Sequence, residues 1–241
     1  MDAFSWLTQL GRFLMPPRCL LCGSANCGAI ELCEGCAGLF ARNIFHCRRC
    51  ALPLARTADV CSACMRENRP WHAVWVPYRY AWPLDLIETR FKFGGSLVAG
   101  KVLARQWMAA GAPPALPELI VPVPLHVSRL RQRGFNQALE LARPLGKHFG
   151  VPVRAWGLER LRSTDAQSGL DAEERTANVR RAFRVRDLPT VNHVAVVDDV
   201  MTTGATLAAC TLALLEAGIE RVDVWALART PKPDFKAKEG V

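Results

Sequence analysis

The apolar positions along the chain fall into two regimes. Phe4, Leu7, Leu10, Phe13 and Leu14 recur at helical spacing and predict a short amphipathic helix packed on the body of the protein. Residues 15–65 show little periodicity, the chain turns polar around 66–70, and Pro70 marks a boundary. From residue 71 the pattern becomes strand then helix, repeatedly. Residues 74–80 read as a strand, 84–93 and 97–109 as helices, 111–117 as a Pro/Ala loop, and 119–123 as a buried strand. A helix over 136–149, bent at Pro144, precedes a short strand at 151–155 and a helix at 172–182. A second buried strand at 194–197, a helix at 205–217 and a strand at 221–227 follow. Strands that are apolar on both faces and alternate with helices predict an α/β fold, a parallel sheet with helices on both faces. The expected organisation is an N-terminal helix and small module over 1–70, the α/β domain over 71–230, and a disordered basic tail over 231–241.

Composition adds two things. At 50% hydrophobic and 22% charged residues the chain is an ordinary folded protein. Its greasiest stretch, 207–215, is about half the ~18 residues that a membrane-spanning helix needs, so no membrane span is expected. The start Met1-Asp2, with Arg12 as the first basic residue, lacks the pattern of a secretory signal, and the cytoplasm is the expected location. A reducing compartment does not keep structural disulfides, so ten cysteines there call for metal or catalysis.

Eight of the ten form four C-x-x-C pairs: Cys19/Cys22, Cys33/Cys36, Cys47/Cys50 and Cys61/Cys64. Each member of the first two pairs has its counterpart 28 residues later, so one four-ligand unit occurs twice. Two C-x-x-C turns supply the tetrahedral four-sulfur cage that zinc prefers, which predicts two structural zinc ions. The spacing admits one ion per repeat, or a crossed arrangement in which Cys19/Cys22 share an ion with Cys47/Cys50. A thioredoxin-like redox role needs one such pair beside a suitable fold pattern, not four in a Gly-rich run. Some seventy residues with few large aliphatics cannot hold themselves by burial, whereas a structural zinc site contributes on the order of 10 kcal/mol. Cys27 and Cys210 are left over. Cys210 shares a helical face with Leu207 and Leu214 and reads as a packed thiol, and His46 and His193 read as a surface residue and a sheet-edge residue.

Charge is uneven. Residues 129–186 hold thirteen Lys or Arg against six Asp or Glu, a net of plus seven out of plus nine for the whole chain, and so expect an anionic partner. Such a partner has a natural seat at residues 194–206, where a buried strand ends in Asp198-Asp199 and continues as Val200-Met201-Thr202-Thr203-Gly204-Ala205-Thr206 into a helix. Ligands of parallel α/β sheets bind beyond the carboxyl ends of the strands. Backbone N–H groups of the turn, the helix N-terminus and the hydroxyls of Thr202, Thr203 and Thr206 make an anion site, and Gly204 allows close approach. Two carboxylates cannot face the same phosphate, so they should hold hydroxyl donors or magnesium. A sugar phosphate meets both demands.

These residues resemble the type I phosphoribosyltransferases, whose fingerprint is four apolar residues, two acids, two variable positions and Thr-Thr-Gly-x-Thr. More narrowly the chain resembles the ComF/GntX family, which joins a multi-cysteine zinc module to such a domain and is linked to competence and DNA utilisation. The match includes Arg90-Phe91-Lys92-Phe93-Gly94-Gly95, Val121 through His126, Arg131 through Gln137, Gln167 through Leu170, Arg175 and Asn178. The resemblance implies a type I phosphoribosyltransferase-like domain that binds phosphoribosyl pyrophosphate with magnesium. Asp198 and Asp199 would hold the ribose hydroxyls, and Val200 through Thr206 the 5-phosphate. His126, Arg129 and Arg133 would line the pyrophosphate loop. Residues 159–178 would form the loop that closes over the site, with Arg162, Thr164, Gln167 and Arg175 reaching the diphosphate. Expected partners are the donor itself and, through the link to competence, single-stranded DNA and proteins of DNA uptake and recombination. The competing expectation is a non-catalytic protein that uses the phosphate site to hold single-stranded DNA or to dock in the uptake machinery. Stacking platforms for DNA are not expected, because Trp71, Trp75, Trp82 and Trp107 fall in elements predicted to pack.

Overall fold

A computed structural model describes residues 17–25, 27, 30–161 and 182–232. The helix expected at 4–14, that at 172–182 apart from its last residue, and the tail beyond 232 lie outside them. In chain order the elements are α1 (Glu34–Ala37), α2 (Ser62–Arg66), β1 (Val74–Trp75), β2 (Tyr78–Arg79), α3 (Leu84–Lys92), α4 (Leu97–Ala109) and β3 (Leu119–Pro122). There follow α5 (Val127–Arg133), α6 (Gln137–Phe149), β4 (Leu158–Arg160), β5 (Phe183–Val185), β6 (His193–Met201), α7 (Ala205–Glu216) and β7 (Arg221–Arg229).

The sheet is parallel throughout. β6 lies between β3 and β7, in register from His193 with Arg221 to Met201 with Arg229, and β1 and β2 both pair with β7 on its other side. Because side chains alternate along a strand, β6 serves two cores. Val194 and Val196 pack with α7 and with Cys47, Cys50 and Cys61, whereas Ala195 and Val197 pack with α3, α4 and α6. The sheet is therefore covered by helices on one face, and by α7 together with the second cysteine unit on the other, as an all-apolar parallel strand requires.

Local chemistry sets several boundaries. Ser96 caps α4 by accepting the Ala99 N–H at 3.2 Å, and Asn136 caps α6 by accepting the Ala138 N–H at 3.0 Å. The strand expected over 74–80 is two short strands, because Pro77 has no N–H to give a ladder. The strand expected over 151–155 reduces to one bridge between Val153 and Ile120, next to Pro152. Not expected were the one-turn helices α1 and α2, α5, and the antiparallel pair β4 and β5 on either side of 162–181. His193 is the first residue of the central strand β6, not a sheet-edge residue. Its Nε2 lies 2.9 Å from Oδ2 of buried Asp223. Among the described residues no helix is long and apolar enough to cross a membrane.

Candidate functional site

The cysteines form two separate cages. Cys19, Cys22, Cys33 and Cys36 make one, Cys47, Cys50, Cys61 and Cys64 the other, and within each the sulfurs all lie within 4.8 Å of one another. The pairing is sequential, one cage per repeat. A tetrahedral zinc with ~2.3 Å bonds to sulfur spaces its ligands about 3.8 Å apart. Cys22 and Cys33 Sγ are 3.7 Å apart, as are Cys50 and Cys61 Sγ, and all the described cysteines are free thiols. The residues therefore fit zinc. Without metal the thiols are pulled apart: burial pushes Cys36, Cys50 and Cys64 up, whereas at Cys19 burial works against ionisation but the amides of Cys22, Cys33 and Leu21 outweigh it and bring the thiol down to about 6. Cys61 reaches about 7 in the same way, against burial, through the amides of Cys64 and Ala63 and the Cys50 thiol.

The first cage packs on the helices through Gln106 Nε2, which donates to Ala37 O at 3.1 Å, and through Arg90, which donates to Leu20 O. The second belongs to the main core beside Trp71 and the sheet.

At the carboxyl end of the sheet lies a cleft of about 140 Å³. Asp198, Asp199 and Thr206 form its floor, and Arg129 and Arg133 of α5 form one wall with Asn136 and Gln137. Lys92 of α3 and Arg160 of β4 complete it. Neighbouring residues of a strand point to opposite faces, so the two acids meet different surroundings. Asp199 is buried; its Oδ2 lies 3.2 Å from Lys92 Nζ and its Oδ1 accepts the Val200 N–H at 2.6 Å. Lys92 also pairs with buried Glu88 one turn earlier on α3. Burial opposes the Lys92 charge, but Asp199 and Glu88 outweigh it and hold the ammonium well above its ordinary value. Asp198 keeps an oxygen toward the cleft while Oδ1 accepts the Asp199 N–H at 2.9 Å. Burial first, and the Asp199 carboxylate second, push its carboxyl up to about 8.

Gly204 turns the chain from β6 into α7 at φ +83°, a conformation that L side chains rarely adopt. A Cβ there would also sit 3.0 Å from Met201 Cε and 3.2 Å from Trp71 Cη2. Thr202 and Thr203 are exposed on the turn, and Thr203 Oγ1 accepts the Ala205 N–H at 3.3 Å. The turn thus offers hydroxyls and helix N-terminal amides to an anion.

Of the residues singled out in the sequence, the cleft brings together Asp198, Asp199, Thr206, Arg129 and Arg133. His126 is not among its lining residues: the imidazole caps α5, with Nδ1 2.7 Å from Ser128 Oγ. Arg162 and Arg175 lie outside the described residues. Sequence reading missed Lys92, Glu88 and Arg160 as members of the site. The Glu-x-x-x-Lys spacing at 88 and 92, with Glu88 beside Ile87 and Phe91 in an amphipathic helix, was the available signal. Cys210 is a fully buried packed thiol, as expected. Trp71, Trp75 and Trp107 are buried, but Trp82 is 59% exposed and Phe93, 74% exposed, lies under the Arg133 guanidinium at 5.3 Å. The expectation that all four tryptophans pack therefore fails at Trp82.

Residues 10–65 match the double zinc ribbon domain. Competence protein F of Haemophilus influenzae is 33% identical over 223 residues, 88% of this chain and 96% of that protein. The DNA utilization protein YhgH of Salmonella typhi is 34% identical over 83% of this chain and 90% of its own length. Competence protein ComFC of Streptococcus pneumoniae is 25% identical over 88% of this chain and the whole of the relative. Among solved structures, a purine phosphoribosyltransferase from Pyrococcus horikoshii overlays on 58% of this chain and 90% of its own, at 14% identity and a TM-score of 0.29. With two four-cysteine cages ahead of a parallel α/β sheet, and relatives of this identity matched over most of their length, the chain belongs to the family of competence protein F and the DNA utilization protein YhgH.

Proposed function

We propose that the protein binds phosphoribosyl pyrophosphate with magnesium in the cleft at the end of β6 and acts in DNA uptake, as the names of its relatives suggest for them. The observation that carries this reading is the adjacency of two unlike half-sites: an acid pair suited to a ribose diol, and a hydroxyl-lined turn suited to a phosphate. Asp198 and Asp199 each already accept one backbone N–H, and Asp199 faces Lys92. Their remaining oxygens are better suited to accept hydroxyls than to encircle a metal. Magnesium would arrive on the diphosphate and neutralise its charge as it leaves.

Arg129 and Arg133 line the same cleft as the acid pair, and their guanidinium groups would stabilise the charge of a departing diphosphate. In a transfer, the bond from sugar C1 to the diphosphate oxygen breaks with its electrons leaving on pyrophosphate. A nucleophile then bonds C1 and gives up its proton. Arg162 and Arg175, from the segment between β4 and β5, belong to this proposal on the family resemblance. The test is release of pyrophosphate from the donor with candidate acceptors, single-stranded DNA included. Donor binding with no release under any of these conditions would make this a binding protein and not a transferase.

A second reading, single-stranded DNA held without chemistry, is favoured by the exposed Phe93 under Arg133 at the edge of the cleft and by exposed Trp82. Aromatic faces beside cations are what unpaired bases stack on. The affinity for an oligonucleotide should then fall by about 0.7 log units per log unit of salt for each phosphate contact. Binding indifferent to salt would remove it.

A further inference from the structure

We infer that Arg229 and Trp71 are positioning residues that couple the second cysteine cage to the phosphate turn, so that metal in that cage sets the order of residues 202–206. The inference rests on the reading of that turn as the anion site, but it concerns how the turn is held and not what it binds.

The connection runs through two successive carbonyls of the metal knuckle. Arg49 O accepts from Trp71 Nε1 at 2.7 Å, and Cys50 O accepts from Arg229 Nε at 3.1 Å. Each of these side chains touches the turn at its other end. Arg229, the last residue of β7 and only 6% exposed, donates through Nη1 to Met201 O at 3.0 Å and to Thr202 O. The Trp71 ring, 1% exposed, lies where a Cβ on Gly204 would collide with it. Arg69 stacks its guanidinium 5.9 Å from that ring, and Arg69 O accepts from Arg49 at 2.7 Å. The knuckle that carries Cys47 and Cys50 is thereby tied to both sides of the bend at 201–204.

Physical chemistry gives this tie its direction. Met201 closes the sheet pairing of β6 and its carbonyl also accepts the Thr230 N–H at 3.1 Å, so Arg229 is a second donor to Met201 O and the side-chain donor to Thr202 O, one residue past the pairing, where an unmet acceptor costs free energy. Arg229 meets them only while Cys50 O fixes its Nε, because a guanidinium presents its donors in a rigid fork. The fork in turn requires the 47–50 turn to keep its shape, and a four-thiolate metal site is what holds a short C-x-x-C turn in shape. Among the described residues the first cage has no such tie: its contacts run to α3 and α4 through Leu20 O and Ala37 O.

The test uses the full zinc-loaded chain and reads amide hydrogen exchange at 202–206, with the amides of 119–121 and 222–228 as an internal reference. Arg229→Met is expected to speed exchange at 202–206 by about tenfold or more while the reference amides stay protected and zinc content stays at two. Arg229→Lys, which keeps the charge but loses the fork, should fall between it and the parent. Trp71→Phe removes both the donor to Arg49 O and the outer ring atoms that lie nearest Gly204, and should loosen the same residues should Arg229→Met fail to fold. Cys61→Ser should loosen 202–206, and Cys22→Ser should not, although each removes one zinc. Unchanged exchange at 202–206 in Arg229→Lys and Trp71→Phe, or equal loosening of the reference amides, overturns the inference. Titration of the same variants with phosphoribosyl pyrophosphate separates the two claims. Loosening at 202–206 in a protein whose parent binds no donor would leave the coupling standing and remove the proposed function, whereas loosening there with donor binding that no variant weakens would leave the coupling standing and remove the turn as the donor's anion site.

Discussion

Asp198 and Asp199 are adjacent, yet their surroundings give them opposite effects on stability, and single substitutions separate the two. Burial, then the neighbouring carboxylate, raise Asp198 from an ordinary 3.8 to about 8. Its folded-state value is thus above its unfolded one. Below pH ~4 both states carry the proton. Between about 4 and 8 the folded state binds more protons than the unfolded chain, so stability falls as pH rises, with no further loss above 8. Each pKa unit is worth about 1.4 kcal/mol. Asp198→Asn removes the ionisable group and keeps an oxygen for the Asp199 N–H. At pH 8 it should therefore stabilise the ligand-free protein by about 1–3 kcal/mol, less than the full shift because the asparagine amide also needs partners. For a chain of this size that is a rise of about 3–8 °C in melting temperature.

Asp199→Asn does the reverse. It takes a charge away from Lys92 in a pair whose carboxylate and ammonium side chains are 9% and 19% exposed, leaving Glu88 as its remaining ion pair. Breaking a buried pair from one side costs about 3–5 kcal/mol, and the retained Glu88 contact and Asn oxygen bring the expected loss to about 1–3 kcal/mol. Thermal melting of both variants at pH 8, without ligand, is the assay. Shifts of the same sign in the two variants would refute this account of the acid pair.

Further expectations follow from the same geometry. Donor affinity should increase as pH rises from 6.5 to 8.5, because a ribose diol donates to the carboxylate form of Asp198; calorimetry in buffers of different ionisation enthalpy should show a proton released on binding at pH 7, and no release would contradict it. Lys92→Met should destabilise the protein by about 3 kcal/mol or more by leaving Glu88 and Asp199 unpaired, as read by denaturant unfolding, and Lys92→Met with Glu88→Gln should recover part of it. Elemental analysis of freshly purified protein should give two zinc ions per chain and one in Cys33→Ser; fewer than one in the parent would refute the metal assignment.

What could be read from the sequence was what is written in local spacing. The 28-residue offset of the cysteines identified two equal units, but their pairing depended on which turns meet in space, and only the cages decided it. α4 and α6 were legible because Ser96 and Asn136 cap them and apolar positions recur at helical spacing. α5 was not, since Val-Ser-Arg-Leu-Arg-Gln-Arg carries no apolar stripe, and the three-residue strands β4 and β5 are too short for alternation to register. The acid pair and the turn were legible as one contiguous motif, whereas Lys92 was not, because its partner Asp199 lies more than a hundred residues away. The ion pair to Lys92 is what gives Asp199 an effect on stability opposite to that of Asp198. Arg229 lies two residues past the strand expected at 221–227 and had no visible role until its carbonyl partners came together.

The central claim is that the cleft at the end of β6 is a phosphoribosyl site. Calorimetric titration of the zinc-loaded protein with phosphoribosyl pyrophosphate and magnesium tests it most directly. The account predicts saturable binding at one donor per chain, weakened about tenfold to a hundredfold in Asp198→Asn. No binding by the parent protein, or an affinity that Asp198→Asn leaves unchanged, would contradict it.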